Sequence, residues 1–140
     1  MSLDEFMSTE LVTVPLGATL DRAVDEMLTH RVGSVLVTDG EEPVGIITET
    51  DVLAAGSGTE RPFADIPVSR AMSPNLVTIG PDADPEAAIE QMQDYGIKKL
   101  VVTEGDTLVG IVTTTDLVLY RTDLVEEVTA IDRQQSYPEH

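Results

Sequence analysis

The sequence contains an internal repeat, and a repeat of this length constrains the fold more than any other feature of the chain. A shift of 65 positions aligns residues 7–53 with residues 72–118 without a gap, and 17 of the 47 aligned pairs are identical. Many of the remaining pairs are conservative, such as Val14 with Ile79 and Asp39 with Glu104. Two homologous halves therefore make up most of the 140 residues.

Each half predicts the same β-α-β-β-α order of elements. A short strand precedes a helix with one apolar stripe, two further strands flank a turn that contains a glycine, and a short apolar helix closes the unit. Thr19 and Asp84 are the predicted N-caps of the first helices, and Gly96 is a predicted left-handed C-cap. The other elements are predicted at 11–14, 35–38, 44–47 and 52–55, and again at 76–79, 100–103, 109–112 and 117–120.

The repeat also predicts the domain boundaries. The first unit with its lead-in covers 1–55, a linker covers 56–70, the second unit covers 71–122 and a C-terminal extension covers 123–140. The stretch 56–62, with its glycines and proline, is expected to be flexible. Because a half of about 50 residues buries too little surface to be stable alone, the two halves are expected to share one core.

Composition excludes several classes of function. The chain has no cysteine and two histidines, so thiolate metal sites are excluded and no metal site is predicted. Because the net charge is −18, a nucleic-acid backbone would be repelled. No apolar run is long enough to cross a membrane and no signal peptide is visible, which predicts a cytoplasmic location. The acidic excess, with few lysines, indicates a cytoplasm of high salt concentration, where charge repulsion is screened.

A family resemblance rests on a motif that occurs once in each half. The motif is Gly-Ile-Ile-Thr-Glu-Thr-Asp at 45–51 and Gly-Ile-Val-Thr-Thr-Thr-Asp at 110–116. Together with Met-Ser before the first strand and the β-α-β-β-α order, each half resembles a cystathionine-β-synthase (CBS) domain. The resemblance implies an α+β CBS-pair fold, in which the two repeats pack sheet to sheet around a pseudo-twofold axis.

The resemblance also implies a ligand. Clefts between the two repeats of such proteins bind adenosyl ligands, namely AMP, ADP, ATP or S-adenosylmethionine, and the motif Asp accepts hydrogen bonds from ribose hydroxyls. Carried over, this role falls on Asp51 and Asp116. The candidate contacts in the same clefts are Thr13, Ser34, Thr48, Thr50, Thr78, Ile97, Thr113 and Thr115.

The motif has a structural interpretation as well. Thr48 and Asp51, like Thr113 and Asp116, have the spacing of a helix capping box. The two interpretations are compatible, because a cap would orient the carboxylate toward a ligand.

The only two lysines are adjacent, Lys98 and Lys99, at the entry to a predicted strand. The resemblance places this stretch in the cleft, where a lysine would bind the ligand phosphate. Because strand side chains alternate, one lysine is expected to face inward. The alternative is a cross-strand ion pair with Glu104 or Asp106. Gly33 and Ser34 stand at the equivalent positions of the first half, so the cleft with Asp116 is expected to bind phosphate better.

The leading hypothesis is a regulatory module that binds an adenine nucleotide or S-adenosylmethionine and acts on a separate effector protein. A homodimer through the closing helices, 52–55 and 117–120, is expected. The alternative is a structural or protein-interaction module with vestigial clefts. No catalytic residues are predicted, because no nucleophile–base pair or phosphate-binding glycine loop is present.

Overall fold

The computed structural model describes residues 2–118, and in this range each half contains one three-stranded sheet. The first half contains β1 (Thr13–Pro15), α1 (Leu20–His30), β2 (Ser34–Asp39), β3 (Glu42–Thr48) and α2 (Glu49–Gly58). The short helix α3 (Val68–Ala71) follows, and then β4 (Thr78–Ile79), α4 (Pro85–Tyr95), β5 (Lys99–Glu104) and β6 (Thr107–Thr113). Residues 114–118 are helical, and two 3₁₀ turns lie at Leu3–Glu5 and Phe63–Asp65. The predicted β-α-β-β-α order and the α+β class are therefore confirmed.

The two sheets have the same topology and register. In each sheet the first strand pairs parallel with the second, and the second pairs antiparallel with the third. Val14 lies opposite Val37, and Ile79 lies opposite Val102 at the equivalent position. A register shift follows Val37 in one sheet and Val102 in the other, so the repeat preserves even this irregularity.

The helices begin and end close to where the sequence predicts. Asp84 caps α4 by accepting a hydrogen bond from the Glu86 amide, and Gly96 ends it with a φ of 65°. Thr19 holds the N-cap position of α1, but its hydroxyl bonds the Asp21 carboxylate and not a helix amide. Arg31 ends α1 in the same left-handed conformation, with a φ of 55°, although it is not a glycine.

The segment that precedes each half packs on the opposite half. Ser8 and Ile111 of β6 exchange two backbone hydrogen bonds of 2.8 and 3.0 Å. Ser73 and Ile46 of β3 exchange the equivalent pair, of 2.9 and 3.1 Å. Within residues 2–118 the buried apolar side chains form two core clusters, one in each half, so the expectation of one shared core is wrong. Leu3 is completely buried in the core of the second half. The lead-in segment precedes the first unit in the sequence, but in the structure it therefore packs on the sheet of the second half.

The predicted linker is more structured than its composition indicates. Helix α2 continues to Gly58, so the expectation of flexible chain from residue 56 onward is wrong for its first three residues. Ile66 and Val68 are buried in the core of the first half, where their apolar side chains leave water. The linker bounds of 56–70 remain a prediction. The C-terminal extension predicted at 123–140 lies outside the described residues.

Methionines fill the space beside the two motif glycines. A Cβ on Gly45 would lie 2.5 Å from the Met72 sulfur, and a Cβ on Gly110 would lie 2.6 Å from the Met7 sulfur. Both methionines come from the exchanged lead-in segments. The methionine of each Met-Ser segment therefore packs against the motif glycine of the opposite half.

No helix within residues 2–118 has the length and apolar character needed to cross a bilayer.

We expect Gly45→Ala and Gly110→Ala each to lower the free energy of unfolding by about 1–3 kcal/mol, because the added methyl overpacks against methionine. Chemical denaturation followed by circular dichroism measures the effect. Gly17→Ala is the matched control, since a Cβ there meets no atom within 4 Å. Equal stability of all three variants would show that the methionines move aside at no cost.

Candidate functional site

A cleft of about 240 Å³ opens between the two halves. It is lined by residues of both halves and of the first lead-in segment: Ser8, Glu10, Leu11, Val12, Val32, Ser34, Leu36, Lys99, Ile111, Thr113 and Asp116. Apolar side chains form much of its wall, and hydroxyl, carboxylate and ammonium groups are grouped among them. This combination is typical of a small-molecule site.

The exchange of lead-in segments assembles the cleft. Ser8 is held on β6 by its two hydrogen bonds with Ile111, and the chain then runs past the cleft into β1. Val12 accepts a hydrogen bond of 3.0 Å from the Leu36 amide, which fixes this run to β2. One wall therefore belongs to the first sheet, while Thr113 at the end of β6 belongs to the second.

Asp116 takes part in a complete capping box with Thr113. Its Oδ2 accepts hydrogen bonds from the Thr113 amide at 2.9 Å and from the Thr113 hydroxyl at 3.1 Å. The Asp116 amide in turn donates to the Thr113 hydroxyl at 3.3 Å. Asp51 and Thr48 repeat this arrangement, with distances of 2.9, 3.0 and 3.3 Å. The capping interpretation is thus confirmed for both motifs.

The cap leaves part of the Asp116 carboxylate available. Both of its hydrogen bonds go to Oδ2, and within residues 2–118 no donor reaches Oδ1. The side chain is partly exposed and lines the cleft. A carboxylate held in this way can accept further hydrogen bonds without changing its orientation.

The two lysines differ in position. Lys99 is partly buried, and its Nζ donates a 2.7 Å hydrogen bond to Ser34 Oγ of the opposite half. Lys98 is exposed and does not line the cleft. Neither forms an ion pair within the described part of the chain, so the alternative of a cross-strand pair with Glu104 or Asp106 is wrong there. Lys99 and Ser34 occupy equivalent positions of the repeat, and their bond therefore joins the halves at the pseudo-twofold axis.

The structure brings together four of the predicted ligand residues. Asp116, Thr113, Lys99 and Ser34 line this one cleft. The predicted contacts that do not line it are Thr13, Thr48, Thr50, Asp51, Thr78, Ile97, Lys98 and Thr115. Of these, Thr48 and Asp51 are the repeat equivalents of Thr113 and Asp116 and form the same capping box in the first half. Ile97 lines a separate apolar cavity beside α4, because its side chain faces the helix.

Sequence reasoning missed the contribution of the lead-in segment. Ser8, Glu10, Leu11 and Val12 line the cleft, as do Val32, Leu36 and Ile111. A signal was present, since Met-Ser and Leu-Val-Thr recur in both halves at the same offset. What the repeat does not reveal is that each Met-Ser segment pairs with the opposite sheet, whereas each Leu-Val-Thr segment pairs with the sheet of its own half.

The family of the chain follows from comparison with known proteins. The CBS-domain family model matches residues 3–58 and again residues 65–123. The chain belongs to the CBS-domain family. The match covers most of both halves, so the protein contains a tandem CBS pair.

Relatives and solved structures agree with this assignment. YhcV, a CBS domain-containing protein of Bacillus subtilis, is 31% identical over 116 residues, which is 83% of this chain and 82% of YhcV. MJ1404 of Methanocaldococcus jannaschii is 32% identical over 133 residues, but this chain spans only 32% of its length. The CBS domain protein PAE2072 of Pyrobaculum aerophilum, solved in complex with AMP, is 25% identical with a TM-score of 0.76. That match covers 91% of this chain and 98% of PAE2072.

The hydrogen bond between Lys99 and Ser34 should be measurable as a coupling between the halves. We expect a double-mutant cycle of Lys99→Met and Ser34→Ala to give a coupling of about 0.5–1.5 kcal/mol in the free energy of unfolding. The same cycle with Lys98→Met should give no coupling, since Lys98 is exposed and does not reach Ser34. Equal coupling for both lysines would contradict the assigned contact.

Proposed function

We propose that this CBS pair is a regulatory module that binds an adenosyl ligand of the AMP class in the cleft lined by Asp116 and Lys99. One observation carries the proposal: a capped carboxylate and a lysine ammonium line the same apolar-walled cleft between the halves. The AMP complex of PAE2072, a protein of the same fold and family, supports the choice of ligand.

Each part of the cleft matches one part of such a ligand. The apolar side chains of Val12, Val32 and Ile111 offer a surface for the adenine ring. Asp116 Oδ1 accepts hydrogen bonds from the ribose hydroxyls, which strengthens them because the acceptor is charged. Lys99 donates a hydrogen bond to the ligand phosphate, and this bond replaces the one that Lys99 donates to Ser34.

This exchange supplies a route to regulation. Because the cleft walls come from both halves, a bound ligand changes how the halves pack, and it shifts the population toward the arrangement that binds it better. An effector protein that contacts both halves would respond to that shift. The effector and a cytoplasmic location of high salt concentration remain predictions.

A second copy of the chain is the proposed partner. In the first half an apolar cavity of about 230 Å³ lies between α1 and α2, where the side chains of Leu28 and Leu53 are 72% and 73% exposed. In the second half a cavity of about 240 Å³ lies beside α4 and residues 114–118. Two similar apolar faces on one chain suit a symmetric homodimer. Residues 119–120 of the predicted contact helix lie outside the described residues.

A module with vestigial clefts is the second candidate. It is favoured by Gly33 and Ser34, which stand in the first half where the second half has its two lysines, so the first half supplies no lysine to a ligand. Such a module would keep the homodimer and bind no nucleotide.

Calorimetric titration with AMP tests the ligand site. We expect Asp116→Ala to weaken AMP binding about 10-fold or more and Lys99→Ala about 5-fold or more, because each removes a charged hydrogen-bond partner. Asp94→Ala, at an exposed position of α4, should bind like the parent. If the parent binds AMP and all three variants bind it equally well, the site is assigned to the wrong cleft. A folded parent without any binding would favour the vestigial module.

Light scattering after size exclusion tests the homodimer. We expect Leu53→Glu to convert a dimer to a monomer, since a charge in an apolar interface costs several kcal/mol. Ser69→Glu, at an exposed position of α3, should leave the mass unchanged. A monomeric parent, or a Leu53→Glu variant that remains dimeric, would exclude this face.

A further inference from the structure

We propose that Glu10 makes the Asp116 cleft selective by charge, so that it binds adenosyl ligands with a short anionic tail and disfavours triphosphates. This inference rests on the proposed function and adds a specificity residue to the same site. The predicted ligand order is AMP first, then ADP, then ATP.

The charged side chains that line the cleft are unequal in number. Among the described residues that line it, Glu10 and Asp116 are the carboxylates and Lys99 is the one cation. Lys98 is exposed and does not line the cleft. The cleft therefore has one lysine to pair with one phosphate group, and it already has an excess of negative charge before the ligand enters.

The backbone around Glu10 is fixed beside the cleft, while the Glu10 side chain has no partner within the described residues. Ser8, two residues earlier, is fixed to β6 by two backbone hydrogen bonds with Ile111. Within residues 2–118 the Glu10 carboxylate accepts no hydrogen bond and forms no ion pair. No hydrogen bond or ion pair within residues 2–118 accounts for this exposed carboxylate, and it lines the cleft that an anion would enter.

Repulsion grows with the length of the phosphate tail. AMP carries about two negative charges and ATP about four, and each added charge near an unpaired carboxylate weakens binding by about 2- to 5-fold at low ionic strength. The repeat shows that an acid is not required here for the fold. Asn75 stands at the position equivalent to Glu10, after Ser73 with its equivalent backbone pairing.

The test measures the dissociation constants of AMP, ADP and ATP by calorimetry, with EDTA present because Mg²⁺ would neutralise the phosphates. We expect the parent to bind AMP about 5-fold or more tighter than ATP. Glu10→Gln should raise the ATP affinity about 4-fold or more relative to the AMP affinity, because ATP carries about two more negative charges. Glu90→Gln, which removes the same charge from an exposed position of α4, should keep the parent's ratio.

Salt gives an independent readout. The preference for AMP should shrink as KCl is raised from about 0.1 to 1 M, because the Debye length falls from about 10 to 3 Å. A parent that binds ATP as tightly as AMP, or a Glu10→Gln variant with the parent's ratio, would overturn the role of Glu10 alone. A folded parent that binds none of the three nucleotides would overturn the proposed function and this inference together.

Discussion

The backbone pairing of Ser8 with Ile111, and of Ser73 with Ile46, is the interaction on which the rest of the molecule depends. It places the lead-in of each half on the sheet of the other half, so that neither core is complete within its own repeat. Leu3 is buried in the second core, and Met7 and Met72 occupy the space that Gly110 and Gly45 leave open. The cleft exists because of this exchange, since the chain must cross from one sheet to the other between Ser8 and β1.

The capping box shows how one side chain can serve the fold and, in the proposed function, the ligand. Asp116 stabilises the start of a helix through Oδ2, a contribution of about 1 kcal/mol for an ordinary cap. The same bonds fix the direction of Oδ1, so the proposed ligand hydroxyl would meet an acceptor that has already lost its rotational freedom. Because the fold has already ordered this carboxylate, ligand binding does not have to order it.

Much of the fold could be predicted from the sequence, because the elements follow from local patterns that occur twice. The caps at Asp84 and Gly96 and the glycine turns depend on residues within a few positions of each other. The composition of the cleft could be predicted only in part. Asp116 and Thr113 lie in the repeated motif, and Lys99 and Ser34 lie at equivalent positions of the repeat, whereas Glu10 enters the site through the exchange of segments. Pairing between segments about 100 residues apart leaves no local period in the sequence, so periodicity could not reveal it.

The differences between the two halves are informative because the repeat provides the comparison. The motif carboxylate, the threonine that caps with it and the apolar pair Leu-Val before the first strand are identical in both halves. The positions that line the cleft and differ in polarity or charge are Glu10 against Asn75 and Ser34 against Lys99. In the proposed function, the groups suited to a nucleoside are therefore duplicated, while the groups proposed to act on its charged tail are not. The two halves therefore present different charges near the position of the capped carboxylate, and Lys99, the one cation that lines the described cleft, is held there by its bond to Ser34 of the other half.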